Sequence, residues 1–123
     1  MKSALCFATL FLLTCTPAHA YEIETGPITI CDTQKQVERF AQLLDENPEL
    51  AISAVNAEEH NPNACVEVDV SYVQGPQIGT ARSSSHAFQI IPIVVFGVNM
   101  PTRFQAVMPR LFFTLVEVKE FAV

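Results

Sequence analysis

The side chains able to do chemistry fall into short, separate groups. Glu58-Glu59-His60 comes nearest to a metal-ligand cluster, with His86 as a further donor. A zinc site needs three or four ligands converging at a fixed spacing, and this set matches no such spacing, so it reads as solvated loop residues. Ser83-Ser84-Ser85-His86 sets hydroxyls beside an imidazole. Adjacent residues are too constrained to serve as nucleophile and base. No third group is in view to orient the histidine, and there is no G-x-S-x-G elbow. Glu67 and Asp69 would project from one face of a strand, about 6.5–7 Å apart, a separation that some glycosidases use. Alternation turns both toward water, whereas a general acid needs burial. Arg82, Arg103 and Arg110 lie near expected turns; gathered at one end of a sheet they would bind an anion or an acidic partner. The four glycines form no phosphate cradle. This reading assigns no catalytic residue, no metal ligand and no cofactor.

Cysteine usage and the N-terminus point to export. Met1-Lys2-Ser3 is a basic start, Ala4 to Leu13 is apolar except at Thr9, and Ala18-His19-Ala20 carries the small-x-small pattern of signal peptidase. Cleavage after Ala20 makes residues 1–20 a signal peptide and residues 21–123 a single disulfide-linked domain. The apolar run is too short to span a bilayer, so no membrane insertion is expected once it is removed. Leu12-Leu13-Thr14-Cys15 approaches a bacterial lipobox, but Thr14 stands where Gly, Ala or Ser belongs; lipidation at Cys15 would tether the chain. Cys31 and Cys65 are the two cysteines left, and in the periplasm or outside the cell they are expected to pair. The chain-entropy model gives such a loop roughly 4 kcal/mol. Without Lys2 the chain has six basic and thirteen acidic side chains, a net charge of −7. That surface is ill-suited to phosphate backbones, which argues against nucleic acid.

The elements that must position these groups follow from periodicity. Ile28 to Cys31 reads as a short strand. Thr33 and Gln36 fit a capping box, and Val37, Phe40, Ala41 and Leu44 lie on one face of the helix behind it. Asn47 and Pro48 open a second, shorter helix with Leu50, Ile52, Ala54 and Val55 as its apolar surface. From Cys65 the period changes to two, with Val66, Val68, Val70 and Tyr72 facing a core and Glu67, Asp69 and Ser71 facing water. Phe88 to Val98 is apolar on both parities, with a break or bulge expected at Pro92. Phe104 to Met108 and Leu111 to Phe121 read as two further strands interrupted by Pro109. The expected fold is α+β: a small coiled antiparallel sheet in meander order, drawn as a partly open SH3-like barrel, with a two-helix insert packed on one side.

Cys31-Asp32-Thr33, Val37-Glu38, Ala54-Val55-Asn56, Ala64-Cys65, Tyr72-Val73-x-Gly75 and the closing pattern of Phe113, Leu115, Val118 and Val123 resemble small exported alphaproteobacterial proteins of unknown function. The resemblance implies a bacterial, exported origin and no catalytic residues. Phe96, Phe104, Phe112, Phe113 and Phe121 are more large rings than a small sheet core absorbs. A surplus left exposed marks a binding surface. The expected function is a non-enzymatic exported binding or accessory domain, acting on a protein partner or as a homodimer. Phe96, Phe104, Phe113, Phe121, Arg82, Arg103 and Arg110 are its candidate binding residues. The alternatives are a small hydrolase or ligand-binding protein with a pocket between helices and sheet, and a structural component of an envelope assembly.

Overall fold

The computed structural model describes residues 22–45 and 47–118; the expected signal peptide, Cys15 and Phe121 lie outside them. The chain is α+β, with strands β1 (Ile23–Cys31), β2 (Cys65–Gln74), β3 (Gly79–Arg82), β4 (Ala87–Asn99) and β5 (Phe104–Glu117) and helices α1 (Gln34–Leu43) and α2 (Pro48–Glu58) between β1 and β2. All five strands form one antiparallel sheet in the order β2-β1-β5-β4-β3, and β2 also pairs with β4.

The helices start where the sequence places them. The Gln36 N–H donates to Thr33 Oγ1 at 3.1 Å, and the Thr33 N–H donates to Gln36 Oε1 at 3.0 Å, the reciprocal pair of a capping box. Asn47 Oδ1 accepts from the Glu49 and Leu50 N–H groups ahead of Pro48. α1 buries Val37, Phe40 and Ala41. α2 buries Ala51 and Val55, while Leu50, expected on the apolar face, points outward at 67% exposure.

Cys31 and Cys65 face each other at the end of the β1–β2 ladder and form the expected disulfide. They belong to a core with Val37, Phe40, Ala51, Val55 and Ile90, where the helices cover the sheet. A second core on the other side of the sheet contains, among the described residues, no helix residue. It gathers Ile30, Val70, Tyr72, Ile91, Ile93 and Val95. β4 therefore serves both cores, as its two apolar parities require.

Two prolines act differently from their sequence reading. Pro92 does not break β4, which runs through it opposite Phe113. Its carbonyl accepts from the Gly75 N–H at 2.7 Å. A paired strand residue turns its N–H and C=O to the same edge, so the missing donor of Pro92 points at the β2–β3 connection, where no ladder needs it. Pro109 does not end β5 either. The register runs from Val95↔Arg110 to Gly97↔Ala106, so Val107, Met108 and Pro109 together oppose the single residue Phe96. The bulge expected at Pro92 sits here, where proline is tolerated. The meander holds only for β3-β4-β5.

Candidate functional site

β5 is the most exposed strand. Along one edge it pairs with β4 from Phe104 to Glu117. Along the other, among the described residues, it meets β1 at one pair, Cys31↔Phe113. Just beyond, Thr114 Oγ1 donates to the Thr29 carbonyl at 2.7 Å and extends that seam. From Phe104 to Phe112 the second edge has no backbone partner among the described residues. The side chains there are large and apolar: Phe104 is 52% exposed, Met108 85% and Leu111 51%. An unpaired, apolar edge strand is a template for another strand.

Behind β5 lies a cleft of about 400 Å³ on the face without helices. Valines of β2 and β4 and Ile30 form its walls, and Met108, Arg110 and Phe112 stand on the β5 side. Arg110 is the one charged residue in the lining. Its guanidinium lies 4.8 Å from the centre of the Phe112 ring and 3.4 Å from Asp32 Oδ1. The side chain remains 65% exposed, so this ion pair contributes little to stability.

The candidate binding residues do not form one patch. Phe104 lies over Gly97, close enough that a Cβ there would strike the ring. Phe96 is half-buried opposite the bulge, and Phe113 packs against the helix-side core. Phe121 is outside the described residues. Arg82 opposes Ala87 and Arg110 opposes Val95, eight positions along β4 and on the order of 25 Å apart. Arg103 sits in the Met100–Arg103 turn at the far end of the hairpin. Arg82 on β3 and Arg103 and Arg110 on the β4–β5 hairpin are thus spread along the length of β4 rather than gathered at one end. Sequence reasoning passed over Met108 and Leu111. A usable signal was present, because no acidic residue occurs between Arg103 and Val116 in an otherwise acidic chain.

A second set of groups gathers where the α1–α2 connection meets the β3–β4 hairpin. The expected constraint between Ser85 and His86 does not keep them apart: Ser85 Oγ lies 3.0 Å from His86 Nδ1. Glu117 Oε2 lies 3.5 Å from His86 Nε2, the third group that the sequence did not reveal. The arrangement still lacks the chemistry of a triad. Ser85 Oγ donates to Asp45 Oδ1 at 3.1 Å, so its proton points away from the imidazole. Ser83 Oγ accepts the N–H groups of both Ser85 and His86, donors that an oxyanion would need. Asp45 also accepts from Ser84. Hydrogen bonds from Ser84 and Ser83, with a smaller part from Ser85, lower its pKa to about 2. A groove of about 290 Å³ between Leu44, Pro48 and the strands runs up to this cluster. It is where the pocket between helices and sheet was expected.

The remaining sequence candidates are committed elsewhere. Glu58 pairs with Arg39, whose hydrogen bond lowers the Glu58 pKa. Glu59 accepts from Gln36 Nε2 at 3.1 Å. His60 takes the left-handed position, φ 53°, that ends α2. Glu67 and Asp69 are exposed, and Asp69 accepts from Asn99 Nδ2 at 2.8 Å. Among the described residues no three His, Cys, Asp or Glu side chains are placed to hold a metal ion. No helix among them is long and apolar enough to cross a membrane.

No protein-family model matches the chain, and neither does any curated protein or solved structure.

Proposed function

We propose that this protein is a non-enzymatic exported binding domain, released to the periplasm or outside the cell after removal of residues 1–20, and that β5 is its docking element. An extended segment of a partner protein adds to the open edge between Phe104 and Phe112. Main-chain hydrogen bonds supply affinity in such strand addition, and alternate side chains supply specificity. The observation that carries the reading is the single β1–β5 pair, which among the described residues leaves that edge open beside Met108 and Leu111. Arg103 and Arg110, on a hairpin without acids from Arg103 to Val116, favour a partner segment that is apolar and acidic. On this reading the curled sheet is a partly open SH3-like barrel, the two-helix insert covers one side, and the β5 edge is where the barrel stays open.

The test is photo-crosslinking in the exporting cell, with benzoylphenylalanine at Leu111 and, as control, at exposed Ser53 on α2. A discrete adduct from position 111 and none from position 53 supports the reading. No adduct, or the same adducts from both positions, sinks it. An adduct of twice the chain mass identifies the partner as a second copy.

A further inference from the structure

The cleft behind β5 has a lining that selects a chemical class. Its floor is buried and aliphatic: Val70 is 1% exposed, Val95 4% and Ile30 4%. Among the described residues the single ring in the lining, Phe112, already carries the Arg110 guanidinium on its face. Branched aliphatic walls with no free ring suit an alkyl chain better than a planar aromatic ligand. About 400 Å³ is near the lower end of small-molecule sites, which fits one chain rather than a multi-ring or double-chain molecule.

Charge fixes the other end of the ligand. Among the described residues Arg110 is the only charged one in the lining, on a chain whose net charge is −6. Its guanidinium has five N–H donors, and its one ion-pair contact, to Asp32, is long at 3.4 Å. The ring beneath orients the fork at the rim of the cleft, where a carboxylate can take two of those donors. We propose that this cleft binds a medium-chain fatty acid, with the alkyl chain along the valine floor and the carboxylate on Arg110. The site lies on the face away from the helices, and the inference does not rest on strand addition at β5.

The experiment is a titration of the exported protein with sodium hexanoate, octanoate and decanoate below their micelle concentrations. It is followed by methyl NMR and by calorimetry. The methyl shifts are expected at Val70, Val95, Val98 and Met108, and not at Val37 or Val55 in the helix-side core. Each methylene buried should tighten Kd about fourfold. Arg110→Gln should weaken decanoate about tenfold while leaving decanol, which has no charge to pair, unchanged. Arg110 is a surface residue, so this variant should fold, and Val70 and Val95 methyl shifts like the parent's would verify it. No saturable shift with decanoate overturns the proposal. So do shifts centred on the helix-side core, or an equal loss for decanoate and decanol in Arg110→Gln. Decanoate binding without a crosslink from Leu111 would sink the strand-addition reading alone; the reverse result would sink only the fatty-acid site.

Discussion

β1–β2 and β4–β5 are both antiparallel pairs rich in Val and Ile, yet they end in different states. The β1–β2 arm pairs at nine consecutive positions, is closed by Cys31–Cys65, and has two helices packed over its closed end. The β4–β5 arm pairs over a longer span, but among the described residues β5 has no second neighbouring strand from Phe104 to Phe112. β4 is buried on both parities while β5, paired to it on either side of the bulge, is mostly exposed. Ladder pairing therefore does not by itself confer burial. Burial follows from what packs on the two faces and on the far edge. The covered arm and β4 are where stability should reside, and the exposed side chains of β5 are those free to change without harm to the fold.

Substitution on each arm tests that division. Phe40→Ala should cost about 3–5 kcal/mol, since Phe40 is 3% exposed in the helix-side core. Replacing Cys31 and Cys65 together with serine should cost roughly 4 kcal/mol by the loop-entropy model. Met108→Ser and Leu111→Ser should stay within about 0.5 kcal/mol. Urea denaturation of the four variants would show the contrast. A loss at Leu111 comparable to that at Phe40 would mean that β5 is covered in the free protein, and the comparison would collapse.

Asn56→Ala sharpens the account of the covered arm. Asn56 Oδ1 accepts the Cys65 N–H at 2.8 Å, while its Nδ2 donates to the carbonyls of Pro62 and Cys65. This side-chain amide stands in for a strand at the start of β2. Its removal should cost about 2 kcal/mol, with faster hydrogen exchange at Cys65. An unchanged exchange rate there would show that the disulfide holds the strand end unaided.

Much of the covered arm was legible in the sequence, because its signals are local. Thr33 and Gln36 announce a cap by spacing alone, Asn47-Pro48 does the same, and two remaining cysteines admit one pairing. The open arm was misread where the deciding partner is distant in sequence. Whether Pro92 breaks β4 depends on which neighbour its missing N–H faces, and that neighbour is the β2–β3 connection. Whether Pro109 ends β5 depends on a bulge counted against Phe96. The contact of Glu117 with His86 spans two strands and leaves no pattern in either. Met108 and Leu111 carry no mark of their own in the sequence that separates them from core residues. Exposure is a property of the missing cover, which no local period records.

His60→Gly should stabilise the protein by about 0.5–1 kcal/mol. His60 holds φ 53°, a backbone region that glycine occupies without strain. A rise in thermal midpoint would check it, and a fall would give the imidazole a role at the end of α2 that its hydrogen-bond pattern does not show.

The smallest effect should appear in acid, at the tie between the two arms. Asp45, in the connection after α1, accepts from Ser84 and Ser85 of the hairpin that leads into β4. His86 carries the contact on to Glu117 at the end of β5. The Asp45 carboxyl is lowered from 3.8 to about 2, chiefly by hydrogen bonds from Ser84 and Ser83. A carboxyl whose pKa is lower in the folded state stabilises fully above its unfolded value. It loses that contribution as pH falls through the folded value, here between about 4 and about 2. The group is fully exposed, so the energy at stake is small and the readout is the titration itself. Carboxyl NMR should place the Asp45 midpoint near 2 in the parent and nearer 3.8 in Ser84→Ala. A midpoint that ignores Ser84→Ala would mean that the hairpin hydroxyls do not hold this carboxylate. The arms would then be joined through the sheet and the helix-side core without help from this contact, and Asp45 would belong to neither.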